Sequence, residues 1–227
     1  MVVCLYPLCF YVYIMVLHRY FIKTPWIVKN WFTSYVWNMP RVEKTIYLTF
    51  DDGPHPEITP FVLDELKKYN AKASFFCLGS NVALHPKTYQ QLIEEGHATG
   101  NHTYDHPNGW EISTEEYVND ISKAAQYIQR NLFRPPYGRI TKQQAGKVKE
   151  AMHNENTKII MWDVLSADFD SEFSPQQCLN NVLKNATNGS IVVFHDSEKA
   201  FRNLEYSFPR AIKQLSEDGY NFKKLEL

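Results

Sequence analysis

From Val42 onward the sequence alternates short runs rich in β-branched and aromatic residues with longer stretches of helical periodicity, and few folds accommodate that alternation. The strand-like runs fall at residues 45–50, 72–79, 97–102, 157–164, 189–196 and 220–227. Between them the spacing predicts helices over 59–69, 87–95, 114–131, 142–153, 175–186 and 204–218. Thr114, followed by Glu115 and Glu116, reads as a capped start with acids in the first turn. Strand then helix, repeated, implies a parallel sheet covered by helices. An incomplete (β/α) barrel and a doubly wound sheet both satisfy the pattern, and both put chemistry at the C-terminal ends of the strands. The chain has 227 residues, 44% of them hydrophobic, which suits one such domain with a sizeable core.

The first strand-like run ends in a way that packing does not explain. In "TIYLTFDDGPHP", residues 45–56, two adjacent carboxylates, Asp51 and Asp52, close an apolar run, and Gly53 and Pro54 then turn the chain away. Neighbouring carboxylates repel, and partial burial makes ionising both costly unless a cation or an arginine stands close. Two later stretches supply positive partners. "GNHTYDHP" offers His102 and His106 four residues apart, a spacing that points two imidazoles at one divalent ion from a tight loop, and Pro107 disfavours a helix there. "RPPYG" supplies Arg134, whose permanent charge can hold one carboxylate ionised. Its prolines fix the backbone around Tyr137, as a directed amide N–H donor requires. One Asp and two His form the three-ligand open site of a catalytic metal. His195, after four apolar residues, sits where a strand's last side chain enters a site.

Charge excludes one class of partner. With 24 basic and 25 acidic residues and no basic stripe, the chain is not expected to bind nucleic acid. Cys4, Cys9, Cys77 and Cys178 form no CxxC pair and read as small core residues. Residues 1–17 carry no charge, and the aromatic, lysine-dotted stretch that follows has the composition of an interfacial segment. Residues 1–40 therefore read as an N-terminal extension: a membrane anchor involving residues 1–35, a buried extension, or a start placed too early.

From residue 45 to about 225 the chain resembles the polysaccharide deacetylases, the NodB-homology group also called carbohydrate esterase family 4. Five motifs occur in the family's order: "TFDDGP", "HTYDH", "RPPYG", "WDVLSADF" and "IVVFHD". The resemblance implies a distorted, incomplete (β/α) barrel over residues 41–227, with mostly parallel strands and outer helices. It implies that Asp51 is the general base, braced by Arg134, and that Asp52, His102 and His106 hold a divalent metal, most readily zinc, with cobalt or nickel as alternatives. It further implies that the Tyr137 N–H binds the oxyanion and that His195 is the general acid, oriented by Asp168. Pro136, Phe169, Val193 and Leu165 are the expected substrate contacts, the last two around the acetyl methyl.

The fourth motif departs from the family's DxxDW: Leu165 replaces its first aspartate and Phe169 its tryptophan. Asp163 is a candidate for part of the lost polar role, and Asp170 has no role in this reading. The implied activity is removal of acetyl groups from N-acetylated sugars of a peptidoglycan- or chitin-like glycan by a monomer at the cell envelope, with a cytoplasmic location left open. An O-acetyl esterase acting on xylan-type glycans and a catalytically silent carbohydrate-binding protein are the alternatives.

Overall fold

The computed structural model describes residues 20–128 and 130–227. Residues 1–17, read above as a possible anchor, lie outside the described residues, as do Cys4 and Cys9. The strands are β1 (Thr45–Asp51), β2 (Ser74–Cys77), β3 (Ala98–Asn101), β4 (Leu132–Phe133), β5 (Lys158–Ile159), β6 (Val164–Leu165), β7 (Ile191–His195) and β8 (Asn221–Phe222). The helices are α1 (Trp26–Trp31), α2 (Ile58–Lys68), α3 (Gly79–Leu84), α4 (Pro86–Glu94), α5 (Thr114–Ala125), α6 (Lys142–Ala151), α7 (Pro175–Asn185) and α8 (Glu198–Glu217). The strand order is β5-β4-β3-β2-β1-β7-β6, every pairing is parallel, and β8 joins the start of β1. This is the distorted (β/α) barrel expected, rather than a doubly wound sheet.

Two apolar layers hold the curved sheet. Outside it, Phe50, Phe75, Phe194 and Phe208 pack with the buried faces of α2, α7 and α8. In α8, Leu204, Phe208, Ala211, Ile212 and Leu215 recur at helical spacing and are buried. Inside the sheet, Phe76, Leu132, Ile160, Ile191 and Leu225 form a separate cluster that fills the barrel. Each large side chain so buried contributes roughly 1.5–3 kcal/mol. Cys77 and Cys178 are free and buried, the core residues expected of them.

The strand predicted over 157–164 is two strands on opposite edges of the sheet, β5 and β6. Residues 160–163 cross the seam between them, and an N-terminal segment fills that seam. Val36 bridges Ile160, Lys23 bridges Val164, and Asn38 bridges Ser190. The backbone bonds include Val36 N–H to Ile159 O at 2.9 Å, Met161 N–H to Val36 O at 2.8 Å and Leu165 N–H to Ile22 O at 2.8 Å. The part of the N-terminal extension from Ile22 to Met39 is thus built into the barrel. A buried ion cluster reinforces it: Asp163, fully enclosed, accepts from Lys23 (2.6 Å), Lys29 and Ser190 (2.5 Å). Among the described residues no helix is long and apolar enough to cross a membrane.

Other departures have local causes. The α5 cap is Ser113, one residue before Thr114; its hydroxyl accepts from Glu116 N–H while the Glu116 side chain accepts from Ser113 N–H. That helix stops at Ala125 because the chain must return to place β4 between β3 and β5. β4 spans two residues, too few to show a period. Helix α8 begins at Glu198, six residues before the expected start.

Candidate active site

Register brings the candidate site groups together. β1 and β7 run parallel with Asp51 opposite His195, and both lie at the C-terminal end of the sheet. Successive strand residues face opposite sides, so Asp52 would point away from Asp51 if β1 continued. Instead Asp52 leaves the strand with φ 76°, a left-handed conformation, and its carboxylate swings beside the two histidines. Asn81 of α3 donates to the Asp52 carbonyl at 2.7 Å and holds the turn.

Asp51 and Asp52, alike in sequence, have different surroundings. Asp51 is buried, and its Oδ1 accepts from Arg134 Nη1 at 2.6 Å. Arg134 is wholly enclosed and spends its remaining donors on Thr49 Oγ1 (2.8 Å), Ile160 O (3.3 Å) and Met161 O (3.1 Å), with its guanidinium stacked 4.0 Å from the Phe76 ring. The same arginine therefore braces the carboxylate and satisfies the carbonyls of the seam crossing. Asp52 Oδ1 is buried without a hydrogen-bond partner, 3.2 Å from His106 Nε2 and 3.6 Å from His102 Nε2.

That orphaned oxygen tests the fit of a cation. Ligand atoms on a tetrahedral zinc lie about 3.4 Å apart, given bonds of about 2.0–2.2 Å. The two separations bracket this value, and the three ligand atoms lie within 4.8 Å of one another. His102 Nδ1 faces the Arg134 carbonyl at 2.7 Å, which leaves Nε2 free for a metal. Burial pulls His102 down to about 4, against the pull of Asp51, so it is neutral at pH 7, the form that ligates. Burial alone would raise the Asp52 carboxyl, but the close approach of His106 and the charges of His195, His102 and His106 hold it well below the usual carboxylate range. Asp52, His102 and His106 thus suit a divalent ion. The histidine loop is irregular, as Pro107 led us to expect: Thr103 and His106 have φ 69° and 59°. Asp120 of α5 ties it down through Tyr104 and Asp105 N–H at 2.7 and 3.1 Å.

His195 is oriented by Asp168, which accepts from its backbone N–H at 2.9 Å and meets its Nδ1 at 2.8 Å. Burial would lower this imidazole, but the charge and hydrogen bond of Asp168, with Asp52 and Asp51 beyond, raise it to about 9. It is therefore protonated at neutral pH, as a general acid must be. Tyr137 sits in the turn Pro136–Gly138 with φ 58°, and among the described residues no acceptor meets its N–H.

The remaining predicted residues are less uniform. Phe169 packs edge-on to His195, ring centres 4.9 Å apart, and forms a wall beside that imidazole. Leu165 and Val193 are register partners on β6 and β7, and both are buried, as is Pro136. Asp163 has turned to Lys23, Lys29 and Ser190, so it does not fill the place of the missing motif aspartate. Asp170 acquires a role: it accepts from the Tyr20 hydroxyl, and the Tyr20 ring lies 5.3 Å from Phe169.

Sequence reasoning passed over Thr49 and Asp196. The Asp196 carboxylate accepts from Gly53 N–H at 3.2 Å and from the Thr59 hydroxyl at 2.5 Å, and its own N–H bonds Asp51 O at 3.1 Å. A Cβ on Gly53 would sit 2.2 Å from Asp196 Oδ2, which explains the glycine. Burial and the charges of Asp52 and Asp51 push Asp196 up to about 8, against the Thr59 hydrogen bond. The only sequence signal was its place beside His195.

Known proteins share this arrangement of chain. A family model described as polysaccharide deacetylase matches residues 38–154. A peptidoglycan-N-acetylglucosamine deacetylase of Bacillus cereus is 35% identical over 207 residues, covering 88% of this chain and 72% of its own. The peptidoglycan-N-acetylglucosamine deacetylase PgdA of Listeria monocytogenes is 38% identical over 192 residues, 82% of this chain and 39% of PgdA. The crystal structure of the Bc1960 peptidoglycan N-acetylglucosamine deacetylase superposes with a TM-score of 0.77 at 34% identity, covering 89% of this chain and 95% of that one. A barrel of this topology, a carboxylate pair divided between an arginine and two imidazoles, and these relatives together place the chain in the polysaccharide deacetylase family.

Proposed function

We propose that this enzyme hydrolyses the acetamide of N-acetylated sugars in a peptidoglycan-type glycan, with zinc held by Asp52, His102 and His106. The observation that carries the reading is the division of labour between Asp51, bound by Arg134, and Asp52, whose free oxygen faces two imidazoles. The names of relatives at 35% and 38% identity support the substrate class. A bound divalent cation supplies Lewis-acid polarisation of the acetyl carbonyl and makes a water molecule easier to deprotonate.

The chain's own residues do the rest. Asp51 takes a proton from the attacking water, and Arg134 fixes the carboxylate's direction for that transfer. The Tyr137 N–H donates to the oxygen that gains negative charge as water adds to the carbonyl carbon. His195, held by Asp168, delivers its proton to the departing nitrogen as the C–N bond breaks. Acetate and a free amino sugar result. Leu165 and Val193 border the acetyl methyl, while Phe169 and Pro136 limit access from the sides. A peptidoglycan-type substrate supports a location at the cell envelope as part of this reading.

The test is acetate release from purified peptidoglycan and from an N-acetylglucosamine tetramer, set beside an O-acetylated xylan, before and after chelation and zinc restoration. Zinc-dependent release from the N-acetylated substrates is expected. Release from xylan alone, or release that survives complete removal of metal, would overturn the reading.

A further inference from the structure

The N-terminal segment that fills the seam leaves an apolar face uncovered. Helix α1 is anchored inward: Thr24 N–H bonds Asp163 O at 3.0 Å, the Thr24 hydroxyl bonds Trp162 O at 2.8 Å, and Val28 packs against the buried cluster that contains Trp37. At about 100° per residue, Val28 and Lys29 fall on that inner side, so Trp26, Ile27 and Trp31 fall on the outer half. Trp26 is 71% exposed and Trp31 76%, and Phe32, which follows the helix, is exposed as well. Large aromatic side chains displayed in this way mark a surface that something covers.

Charge beside this face narrows what covers it. Trp26 borders a groove of about 570 Å³ together with Lys23, Lys29, Asn38 and Arg41. The three cations share one fully enclosed carboxylate, Asp163, with Lys23 at 2.6 Å, Arg41 at 3.8 Å and Lys29 in direct contact. Three positive charges against one negative leave this cluster with a surplus of two. Residues 1–17, which lead into the segment, carry no charge. Exposed indole rings beside surplus cations, after uncharged sequence, have the chemistry of a surface that lies at a lipid–water interface.

We propose that the outer face of α1 and its cationic groove seat the folded barrel on a membrane surface containing anionic phospholipids. The indole rings enter the headgroup layer, which suits an apolar ring with one N–H donor, and the groove takes lipid phosphates. The seat lies toward the end of the barrel opposite the candidate active site. Asn38 bridges Ser190, just before β7 begins, whereas His195 ends that strand. The C-terminal end of the sheet therefore stays open to a glycan while the enzyme is seated. This goes beyond the deacetylase reading and is tested by binding rather than turnover.

The experiment adds the full chain to vesicles of phosphatidylglycerol and phosphatidylethanolamine with brominated acyl chains and follows tryptophan fluorescence. The chain has five tryptophans, and Trp26→Phe with Trp31→Phe leaves Trp37, Trp110 and Trp162 as the baseline. Wild-type emission is expected to be quenched, and that of the double variant to stay unquenched at an unchanged melting temperature. Each cation near such a surface is worth about fivefold in affinity, so Arg41→Gln should raise the lipid concentration for half-maximal quenching by that factor. Absence of quenching in wild type, or equal quenching in the double variant, overturns the seat. So does equal quenching on pure phosphatidylcholine, or an unchanged half-point in Arg41→Gln. Binding of soluble long-chain polyphosphate without quenching by vesicles would give the groove to an anionic polymer and overturn the proposal as well.

Discussion

Arg134→Met is the perturbation on which site and fold bear most directly together. The guanidinium is wholly enclosed and serves four acceptors: Asp51 Oδ1, Thr49 Oγ1, Ile160 O and Met161 O. Methionine fills much of the volume but donates nothing, so a buried carboxylate and two buried carbonyls lose their partner. Breaking a buried pair from one side costs about 3–5 kcal/mol, because the other charge stays uncompensated. For a domain of this size that corresponds to a fall in melting temperature of about 6–20 °C. Arg134→Met with Asp51→Asn neutralises the orphaned carboxylate, so the double variant should be more stable than the sum of its parts by about 1.5 kcal/mol or more. Calorimetric melting of the four proteins measures this cycle. A melting temperature for Arg134→Met within about 3 °C of wild type, or strict additivity in the cycle, would refute the argument that this ion pair holds the seam and the base together.

Further outcomes separate the remaining roles. Asp51→Asn should retain stoichiometric metal while kcat falls by about two to four orders of magnitude, whereas Asp52→Asn should lose metal and recover part of its rate in excess zinc. Elemental analysis beside turnover decides it, and a metal-free Asp51→Asn would reverse the two assignments. On the proposed mechanism the acid is His195 in its protonated form, so its rate contribution should be present below its raised value and lost as pH rises through about 9. In Asp168→Asn the chief charge raising it is gone, and the descending limb of the kcat profile should shift toward the ordinary imidazole value of about 6.5. An unshifted limb would assign that titration to another group.

The residues gathered at the candidate site were legible because their chemistry is written in residue type and order. An acidic doublet closing an apolar run, two histidines four apart and an arginine before paired prolines are unusual for packing alone. The resemblance carried by the five motifs assigned each a task. The structure places Asp51 against Arg134, Asp52 against both imidazoles and His195 against Asp168. Leu165 and Phe169 were legible as departures, but their consequence was not. Asp163 was the available substitute by type, yet it lies two residues before Leu165, ahead of the start of β6, where Lys23 and Lys29 of the N-terminal segment take up its carboxylate.

The sequence by itself determined the elements whose period is long enough to see: the helices Ile58–Lys68, Pro86–Glu94, Lys142–Ala151 and Pro175–Asn185, each within two residues of its expected bounds, and the apolar strands β1 and β7. It also singled out Asp51, Asp52, His102, His106, Arg134 and His195, which the structure brings together. Tertiary structure decided what depends on contacts distant in sequence. β4, β5 and β6, two residues each, exist only because neighbouring strands and the seam supply their hydrogen bonds. The stretch Ile22–Met39 reads as an interfacial extension by composition and becomes part of the barrel because the edges of the sheet expose unpaired backbone groups it can satisfy. The left-handed turn at Asp52 likewise depends on Asn81 and Asp196, 29 and 144 residues away in the chain, which hold it where both carboxylates enter one site.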